Sequence, residues 1–303
     1  MQFRSNVTGN LYSCLKYFKQ KIFNSNRYRL TKKIVDYLKS ENCIIPVEDK
    51  LPMLKFFSKS LVYPIGYPFI REYLYKIKSV FFDKKRSLYY VRHNNKKLYF
   101  KKGLSKNEVR DMYNALCIEQ DTRSPHSYFA FPDVYQPTDV AVDVGAAEGI
   151  WALDVVERVK RIYLFECDEN WIKALQATFE PWKDKVNIVN RYVSNITDNK
   201  HTTLDDFFYG ENIYPDIIKI DVEGSETECI NGASTLLSHH IRCAIICTYH
   251  RYNDYAKLSE IMKKYSFKIH TSKGYMVYYF EEPDYNCNDI EKLFRRGLIY
   301  ACR

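Results

Sequence analysis

The chain has 303 residues, of which 46% are hydrophobic and 27% are charged, as in a globular protein. Glycine and proline number only 10 each and aromatic residues reach 16%, which excludes collagen-like, mucin-like and wholly disordered chains. No apolar run approaches the roughly 18 residues that span a bilayer. The first ten residues lack the apolar region of a secretory signal, so we expect a cytoplasmic protein.

The formal net charge of +9 is unevenly distributed. Residues 1–110 contain 25 Lys and Arg against 7 Asp and Glu, a net charge of +18, whereas residues 111–303 carry a net charge of −9. This asymmetry indicates two functional parts. The basic part either faces an anionic partner or is a solvated surface.

Residues 1–80 are predicted to form a small, basic helical appendage. A second helical run at residues 30–38 also carries lysines, and the proline-rich stretch 43–69 is expected to be loop with short helical pieces. Residues 71–82 read as a further basic, aromatic helix. Apolar residues recur at helical spacing near the start of the chain, with lysines between them: Leu11, Leu15, Phe18 and Ile22.

A β-hairpin is predicted within residues 86–101, where two aromatic segments flank Asn94 and Asn95. Ser105 and Glu108 then form the capping box of a helix. The nine cysteines are scattered without a CxxC pair and are odd in number, which argues against a disulfide framework. Cys243 and Cys247 are expected to point into one face of a core.

From Asp139 onward, apolar strands alternate with helices. Strands are predicted at residues 140–144, 161–165, 186–193, 217–220 and 244–247, with helices between them. This pattern predicts an α/β fold with a doubly wound, mainly parallel sheet. Residues 267–270 and 275–280 are expected to close the sheet as an antiparallel pair around Lys273 and Gly274.

A glycine turn follows the first of these strands, in the segment VDVGAAEG at residues 142–149. Gly145 allows a ligand to lie against bare backbone, and Glu166 ends the next strand, where a carboxylate accepts the hydroxyls of a ribose. The pair predicts a nucleoside-containing cofactor. Asp143 and Glu148 would repel a pyrophosphate and suit a cationic group, such as the sulfonium and amino group of S-adenosylmethionine.

A second cluster lies in IKIDVEGSE at residues 218–226. Asp221 falls at the carboxyl end of a strand, where open α/β sheets bind ligands, and Glu223 follows it. Helix capping is an alternative explanation for the later acids, because Ser225 and Glu228 match a capping box and Glu226 lies at a helix N-terminus.

These two segments, with YLFECD at 163–168 and TTLDDFF at 202–208, resemble the FkbM-type S-adenosylmethionine-dependent methyltransferases over about residues 139–280. The resemblance implies a class I methyltransferase (Rossmann-like) fold, with a seven-stranded, mostly parallel sheet and helices on both faces. With residues 1–80 as the appendage, the methyltransferase domain is expected at residues 81–303, with its cofactor-binding core at residues 139–280. It also implies methyl transfer to an oxygen, commonly a hydroxyl of a sugar or a polyketide-type product. The cofactor positions become Asp143, Gly145, Ala146, Ala147, Glu148, Gly149, Glu166 and Cys167, with Ala147 standing where the family has glycine.

Methyl transfer to a hydroxyl needs alignment and a base. His250, at the end of the fifth strand, is the first candidate base, with Asp221 and Glu223 as alternatives. These two carboxylates, with Asp254, are also the candidate ligands of a divalent ion such as Mg²⁺. Arg251 is predicted to grip an anionic group of the acceptor, with further acceptor contacts from Tyr249 and Tyr128. Residues 119–128 form either a surface loop or a lid that brings Ser124 and His126 to the cofactor.

The predicted function is therefore O-methylation of a carbohydrate hydroxyl in a surface polysaccharide, capsule or glycolipid precursor. Residues 1–80 are expected to contact an anionic membrane surface. The alternatives are a methyltransferase of RNA or of a small natural product, and a non-catalytic binding protein on the same fold. Nucleic acid is not expected, because the acid-rich segment at Asp221 would repel phosphates.

Overall fold

A computed structural model describes residues 25–74, 78–131, 134–279 and 289–303. The chain divides into two compact units, Met1–Ile70 with Tyr275–Arg295, and Arg71–Gly274 with Arg296–Arg303. The apolar stripe predicted at residues 11–22 lies outside the described residues. Among the described helices, none has the length and apolar character needed to cross a membrane.

The helices are distributed over the whole described chain. They are α1 (residues 25–39), α2 (Val47–Phe57), α3 (Arg71–Leu74), α4 (Lys106–Glu119), α5 (Ile150–Val155), α6 (Glu169–Phe179), α7 (Leu204–Glu211), α8 (Glu226–Asn231), α9 (Ser234–His239) and α10 (Asp254–Lys264). Short 3-10 turns occur at Pro68–Ile70, Glu180–Trp182 and Ile290–Leu293.

In the part of the chain that the structure describes, the strands form one large sheet and three small ones. They are β1 (Val80–Asp83), β2 (Leu88–His93), β3 (Lys96–Tyr99), β4 (Val140–Val144), β5 (Arg161–Phe165), β6 (Val186–Val189), β7 (Tyr192–Val193), β8 (His201–Thr202), β9 (Ile217–Ile220), β10 (Cys243–Cys247), β11 (Lys268–Thr271), β12 (Met276–Val277), β13 (Phe294–Arg295) and β14 (Leu298–Cys302).

The first unit combines N-terminal helices with a segment from near the C-terminus. Leu30, Ile34 and Leu38 repeat at intervals of four along α1 and are fully buried. The backbone N–H of Val277 in β12 donates to the carbonyl of Pro64 at 2.7 Å. β12 pairs with β13 in an antiparallel manner, so this C-terminal segment completes the unit.

The large sheet has seven strands in the order β11-β14-β10-β9-β4-β5-β6. β14 runs antiparallel to both of its neighbours, and the other neighbouring pairs from β10 to β6 are parallel. Both faces carry a hydrophobic core, because alternate strand residues such as Ala141 and Val142 enter different clusters. The predicted doubly wound α/β fold is therefore confirmed.

The predicted closing pair of strands is wrong. β11 does not pair with the strand that follows it but with β14, whose residues Leu298–Ala301 are buried on both faces. The chain leaves the sheet at Ser272, whose side chain bonds the backbone of Leu298. A strand buried on both faces removes more apolar surface from water than a short edge hairpin does.

The small sheet β1-β2-β3 contains the predicted hairpin, since β2 and β3 pair around Asn94 and Asn95. It also contains β1, whose residues 80–82 belong to the segment predicted as a helix at residues 71–82. Phe81 and Phe82 of β1 lie opposite Tyr90 and Tyr89, with ring centroids 5.3 and 4.9 Å apart. Such cross-strand aromatic pairs favour the extended backbone over the helix.

Two local predictions are confirmed, but one disulfide was not foreseen. The capping box of α4 is confirmed, because Ser105 and Glu108 bond each other's backbone N–H groups. Cys243 and Cys247 do lie in one core cluster, but Cys243 also forms a disulfide with Cys302. The sequence argument against disulfides missed this pair, because the two residues become opposite neighbours only when β14 joins β10.

Candidate cofactor and catalytic site

The glycine turn after β4 presses against the end of β9. Gly145 has φ +76°, and a Cβ there would lie 1.9 Å from the carbonyl oxygen of Asp221. Gly149 begins α5 in the left-handed conformation, with φ +80°. These backbone angles are strained for residues with a side chain, so both positions favour glycine. The turn therefore presents bare backbone at the carboxyl edge of the sheet.

We expect Gly145→Ala to lower the free energy of unfolding by at least about 2 kcal/mol, because backbone strain and overpacking both contribute. Gly103→Ala is the matched control, since Gly103 also has a positive φ but has no atom within 4 Å of an added Cβ. Chemical denaturation of both variants measures the difference. Equal destabilisation of the two variants would mean that the added methyl group is accommodated beside the carbonyl of Asp221 without loss of stability.

Glu166, directly after β5, is held by three backbone N–H groups. Ala147 donates to one carboxylate oxygen at 2.8 Å, while Cys167 and Asp168 donate to the other at 2.7 and 2.8 Å. A carboxylate has about four acceptor positions, so a ligand hydroxyl has one position left. The carboxylate lines a cavity of about 240 Å³ that also contains Gly145 and Cys167.

Asp143 lies in a buried ion pair and is not an open carboxylate. Nζ of Lys219 in β9 lies 2.8 Å from Oδ1 of Asp143 and 3.0 Å from the carbonyl of Gly145. Burial raises the pKa of Asp143 against the opposing effect of Lys219. The pKa of Lys219 is raised, because the charges of Asp143 and Asp221 outweigh its burial. The pair therefore fixes the glycine turn to β9.

A second cavity of about 220 Å³ lies on the other side of Gly145. It is lined by the turn residues Ala146, Ala147 and Glu148, by Glu119 at the end of α4, and by Asp221 and Glu223. Burial raises the pKa of Glu148 to about 7. Burial and the neighbouring carboxylates raise the pKa of Glu119 to about 8. The cavity therefore concentrates carboxyl groups beside the ammonium of Lys219. A ligand with positive charge would favour the ionised forms of Glu119 and Glu148 and would in turn be stabilised by them.

These raised pKa values make the stability of the unliganded protein depend on pH. Glu119 and Glu148 keep their protons when folded, whereas a glutamate in the unfolded chain ionises near pH 4.3. These two groups make stability decrease as pH rises from about 4.5 to 8. His126, whose pKa is lowered to about 4, has the opposite effect below about pH 6.5, and the two glutamates outweigh it because their pKa values are raised over a wider range together. We expect the melting temperature to fall across this window, and to fall less in Glu119→Gln. An unchanged slope in that variant would contradict the assignment to Glu119.

Asp221 is surrounded by side chains from the segment before the sheet. Tyr128 donates its hydroxyl to Oδ2 of Asp221 at 2.6 Å, and Nε2 of His126 lies 3.9 Å from the same oxygen. The charges of Lys219 and the neighbouring histidines outweigh burial and lower the pKa of Asp221 to about 2. Burial lowers the pKa of His126 to about 4.

The segment predicted as a loop or lid thus contributes to the second cavity through His126 and Tyr128. Ser124 is buried and is not among the residues lining either cavity; its hydroxyl accepts a bond from the backbone N–H of His126. Its position indicates a structural role in this turn.

His250 is held by the carboxylate of Glu226, a residue for which helix capping is the alternative explanation from sequence. Its Nδ1–H donates to Oε1 of Glu226 at 2.8 Å, and both side chains are buried. Its Nε2 lies 3.5 Å from Asp221 and 3.4 Å from Glu223. The pKa of His250 is raised, since the bond to Glu226 and the surrounding negative charges outweigh burial.

The predicted capping box at α8 is wrong. The side chain of Ser225 makes no capping bond. Instead, Oε1 of Glu226 accepts the backbone N–H groups of Val222 and Gly224, each at 3.2 Å. The sequence points to Glu226 only through its place in the segment IKIDVEGSE, five positions after Asp221. Its pairing with His250 depends on how α8 packs against the end of β10.

The remaining predicted residues fall in different places. Tyr249 lines the second cavity, and its ring centroid lies 4.1 Å from that of His250. Arg251 is exposed, and its backbone N–H donates to the carboxylate of Asp254 at 2.8 Å. The carboxylate of Asp254 thus accepts a hydrogen bond that holds the turn before α10.

Two groups of described residues have the spacing of metal ligands: His126, Asp221 and Cys247, and Asp221, Glu226 and His250. Both contain the predicted ligand Asp221, and neither contains Glu223 or Asp254. A histidine nitrogen with two carboxylates suits Mg²⁺ poorly and a transition metal better.

Three features define a class I methyltransferase fold. They are the order of the seven strands, in which the antiparallel strand lies beside β11, the glycine turn after β4, and the acidic residue after β5. The family model described as "Methyltransferase FkbM domain" matches residues 191–275, which confirms the FkbM resemblance. No curated protein matches the sequence.

Three solved structures illustrate the similarity. The methyltransferase FkbM from Methylobacillus flagellatus KT has 18% identity and a TM-score of 0.47, over 62% of this chain and 50% of that chain. A precorrin-6y C5,15-methyltransferase from Geobacter metallireducens GS-15 has 12% identity and a TM-score of 0.39, over 56% and 84%. An rRNA methylase from Streptococcus thermophilus has 9% identity and a TM-score of 0.37, over 56% and 89%. The chain spans about half the length of the methyltransferase FkbM from Methylobacillus flagellatus KT.

Proposed function

We propose that this protein is an S-adenosylmethionine-dependent O-methyltransferase that acts on a carbohydrate hydroxyl of a surface polysaccharide, capsule or glycolipid precursor. The observation that carries the proposal is the position of three features at one edge of the sheet. These are the bare turn at Gly145, the anchored carboxylate of Glu166 and the paired side chains of His250 and Glu226.

The bound cofactor supplies a methyl group on a sulfonium. Glu166 would hold the ribose, and the turn would lie beneath the cofactor. His250, in its neutral form, would accept the hydroxyl proton at Nε2 while the new oxygen–carbon bond forms and the sulfur–carbon bond breaks. Glu226 would orient the imidazole through Nδ1. The carboxylates of the second cavity would favour a cationic cofactor over one with a pyrophosphate.

The competing mechanism uses a divalent cation held by Asp221, Glu226 and His250, which would acidify the hydroxyl of the acceptor. A methyltransferase of RNA is less well supported, because Glu119, Glu148 and Glu223 line the second cavity and would repel the phosphates of a nucleic acid near the reacting group. Contact of residues 1–80 with an anionic membrane remains part of the proposal, supported by the charge distribution.

Calorimetry with the full chain tests the cofactor. We expect S-adenosylmethionine and S-adenosylhomocysteine to bind at micromolar concentrations and NAD to give no heat. Mass measurement after incubation with S-adenosylmethionine and candidate glycans should show the addition of one methyl group. Tight binding of NAD, with no response to S-adenosylhomocysteine, would overturn the proposal.

A further inference from the structure

A basic cleft lies in the second unit, away from the cofactor turn. It has a volume of about 620 Å³ and is bounded by Arg92, Lys96, Lys97, Glu157 and Trp182. Asn94 and Asn95, the two residues of the hairpin turn, also line the cleft. None of the functional residues discussed above contributes to this cleft.

Helix α6 gives the separation between the two sites. The helix begins directly after Asp168, beside the anchored Glu166, and ends at Phe179, just before Trp182. Eleven helical residues rise about 16 Å. The cleft thus lies near the end of α6 that is farther from Glu166, although a Cβ on Gly149 of the glycine turn would lie 2.9 Å from the ring of Phe179. Because the reacting sugar belongs at the edge of the sheet that carries Glu166 and His250, the cleft is a separate place on the surface.

The cleft has two cationic groups that other side chains do not neutralise. Lys96 lies 3.1 Å from Glu157, and Arg86, which also lines the cleft, pairs with Asp83 and Glu180. Arg92 and Lys97 are exposed and lie opposite each other on β2 and β3. Within the described ranges, neither forms an ion pair with a carboxylate.

The other groups of the cleft suit a sugar chain. Asn94 and Asn95 are exposed. Nδ2 of Asn94 donates to Asp154 at 2.9 Å, so its amide oxygen and the amide of Asn95 are the groups offered to hydroxyls. Trp182 is partly exposed, and Nζ of Lys96 lies 5.8 Å from its ring centroid, so the ring has one face for a sugar beside this cation. The carboxylates of Glu157 and Glu180 accept bonds from hydroxyls but repel a ligand with a phosphate at every unit. This mixture favours a polyhydroxyl chain with sparse negative charge over a nucleic acid.

We propose that the basic cleft binds a distal, acidic part of a glycan acceptor, with carboxylate or phosphate groups held by Arg92 and Lys97. The inference rests on the proposed function, because it assigns a remote subsite for the same acceptor. A chain of several sugars would occupy the cleft while its terminal hydroxyl reaches His250. The protein would therefore select long acidic acceptors over short or neutral ones.

Calorimetry with the full chain tests this subsite without requiring methyl transfer. The probes are a hyaluronan hexasaccharide, with carboxylates on alternate sugars, pentamannosyl phosphate, and the neutral hexamer of N-acetylglucosamine. We expect one or both acidic probes to bind and the neutral hexamer to bind at least about tenfold more weakly. The tighter acidic probe identifies carboxylate or phosphate as the preferred charge.

The double variant Arg92→Gln/Lys97→Gln should weaken binding of the acidic probe at least about tenfold. The control Lys257→Gln/Lys263→Gln, on exposed positions of α10, changes the net charge equally and should retain binding. Equal weakening in both variants, equal binding of the neutral hexamer, or tighter binding of a six-nucleotide single-stranded oligonucleotide would overturn the inference.

S-adenosylhomocysteine is titrated into the same proteins. If the cofactor product binds and the acidic glycans do not, the subsite is wrong and the proposed function is untouched. If the acidic glycans bind through Arg92 and Lys97 while S-adenosylhomocysteine does not bind, the proposed function fails and the cleft is a glycan site of another activity.

Discussion

Replacement of His250 by Ala is expected to lower kcat about 10²–10⁴-fold, the usual contribution of a positioned general base. The affinity for S-adenosylhomocysteine should stay unchanged, because His250 lines neither cavity beside Gly145. Steady-state kinetics and calorimetry on the same preparation measure the two effects. A decrease of less than fivefold would make Asp221 or Glu223 the leading base.

The pH dependence separates the base from a merely structural histidine. The pKa of His250 is raised above its ordinary value, so the neutral base should increase, and kcat with it, as pH rises through that pKa. Glu226→Gln removes a negative partner and should lower the pKa of His250, which moves the rise in kcat to lower pH. If the profile of this variant stays in place, His250 is not the titrating group.

Dialysis against a chelator distinguishes the competing metal mechanism. An enzyme that uses His250 as a base should keep its activity after dialysis. Loss of activity, with recovery on addition of a divalent ion, would instead assign Asp221, Glu226 and His250 as ligands.

Much of the fold was predictable because the signals in the second unit are local. Short apolar strands alternate with amphipathic helices from Val140 to Lys264, and each glycine turn lies next to its strand in the sequence. The seventh strand was not predictable in the same way. Leu298–Cys302 is separated from β10 by 50 residues of intervening chain, and its pairing depends on burial between two neighbours.

The candidate site shows the same division. Gly145, Glu166 and Asp221 follow predicted strands directly, so their shared edge of the sheet could be foreseen. The partner of His250 could not, since Glu226 satisfies a helix N-terminus as readily as a histidine until the packing is known. Likewise, the ion pair of Asp143 with Lys219 joins neighbouring strands that lie 76 residues apart in sequence.

Glu166→Ala is expected to weaken binding of S-adenosylhomocysteine by about 1.5–3 kcal/mol, the value of a hydrogen bond to a charged group. The substitution removes the acceptor proposed for a ribose hydroxyl. It also removes the acceptor of three backbone N–H groups, at Ala147, Cys167 and Asp168. Part of the loss would therefore come from a loosened turn.

Two further variants separate these contributions. Glu166→Gln keeps one carbonyl oxygen and should weaken binding less than Glu166→Ala. Asp168→Asn is the control, because asparagine also caps a helix and Asp168 bonds the backbone of Asn170 at the start of α6. We expect its affinity and melting temperature to stay near those of the original protein. If Glu166→Ala binds S-adenosylhomocysteine as tightly as this control, the ribose lies elsewhere and Glu166 only supports the turn.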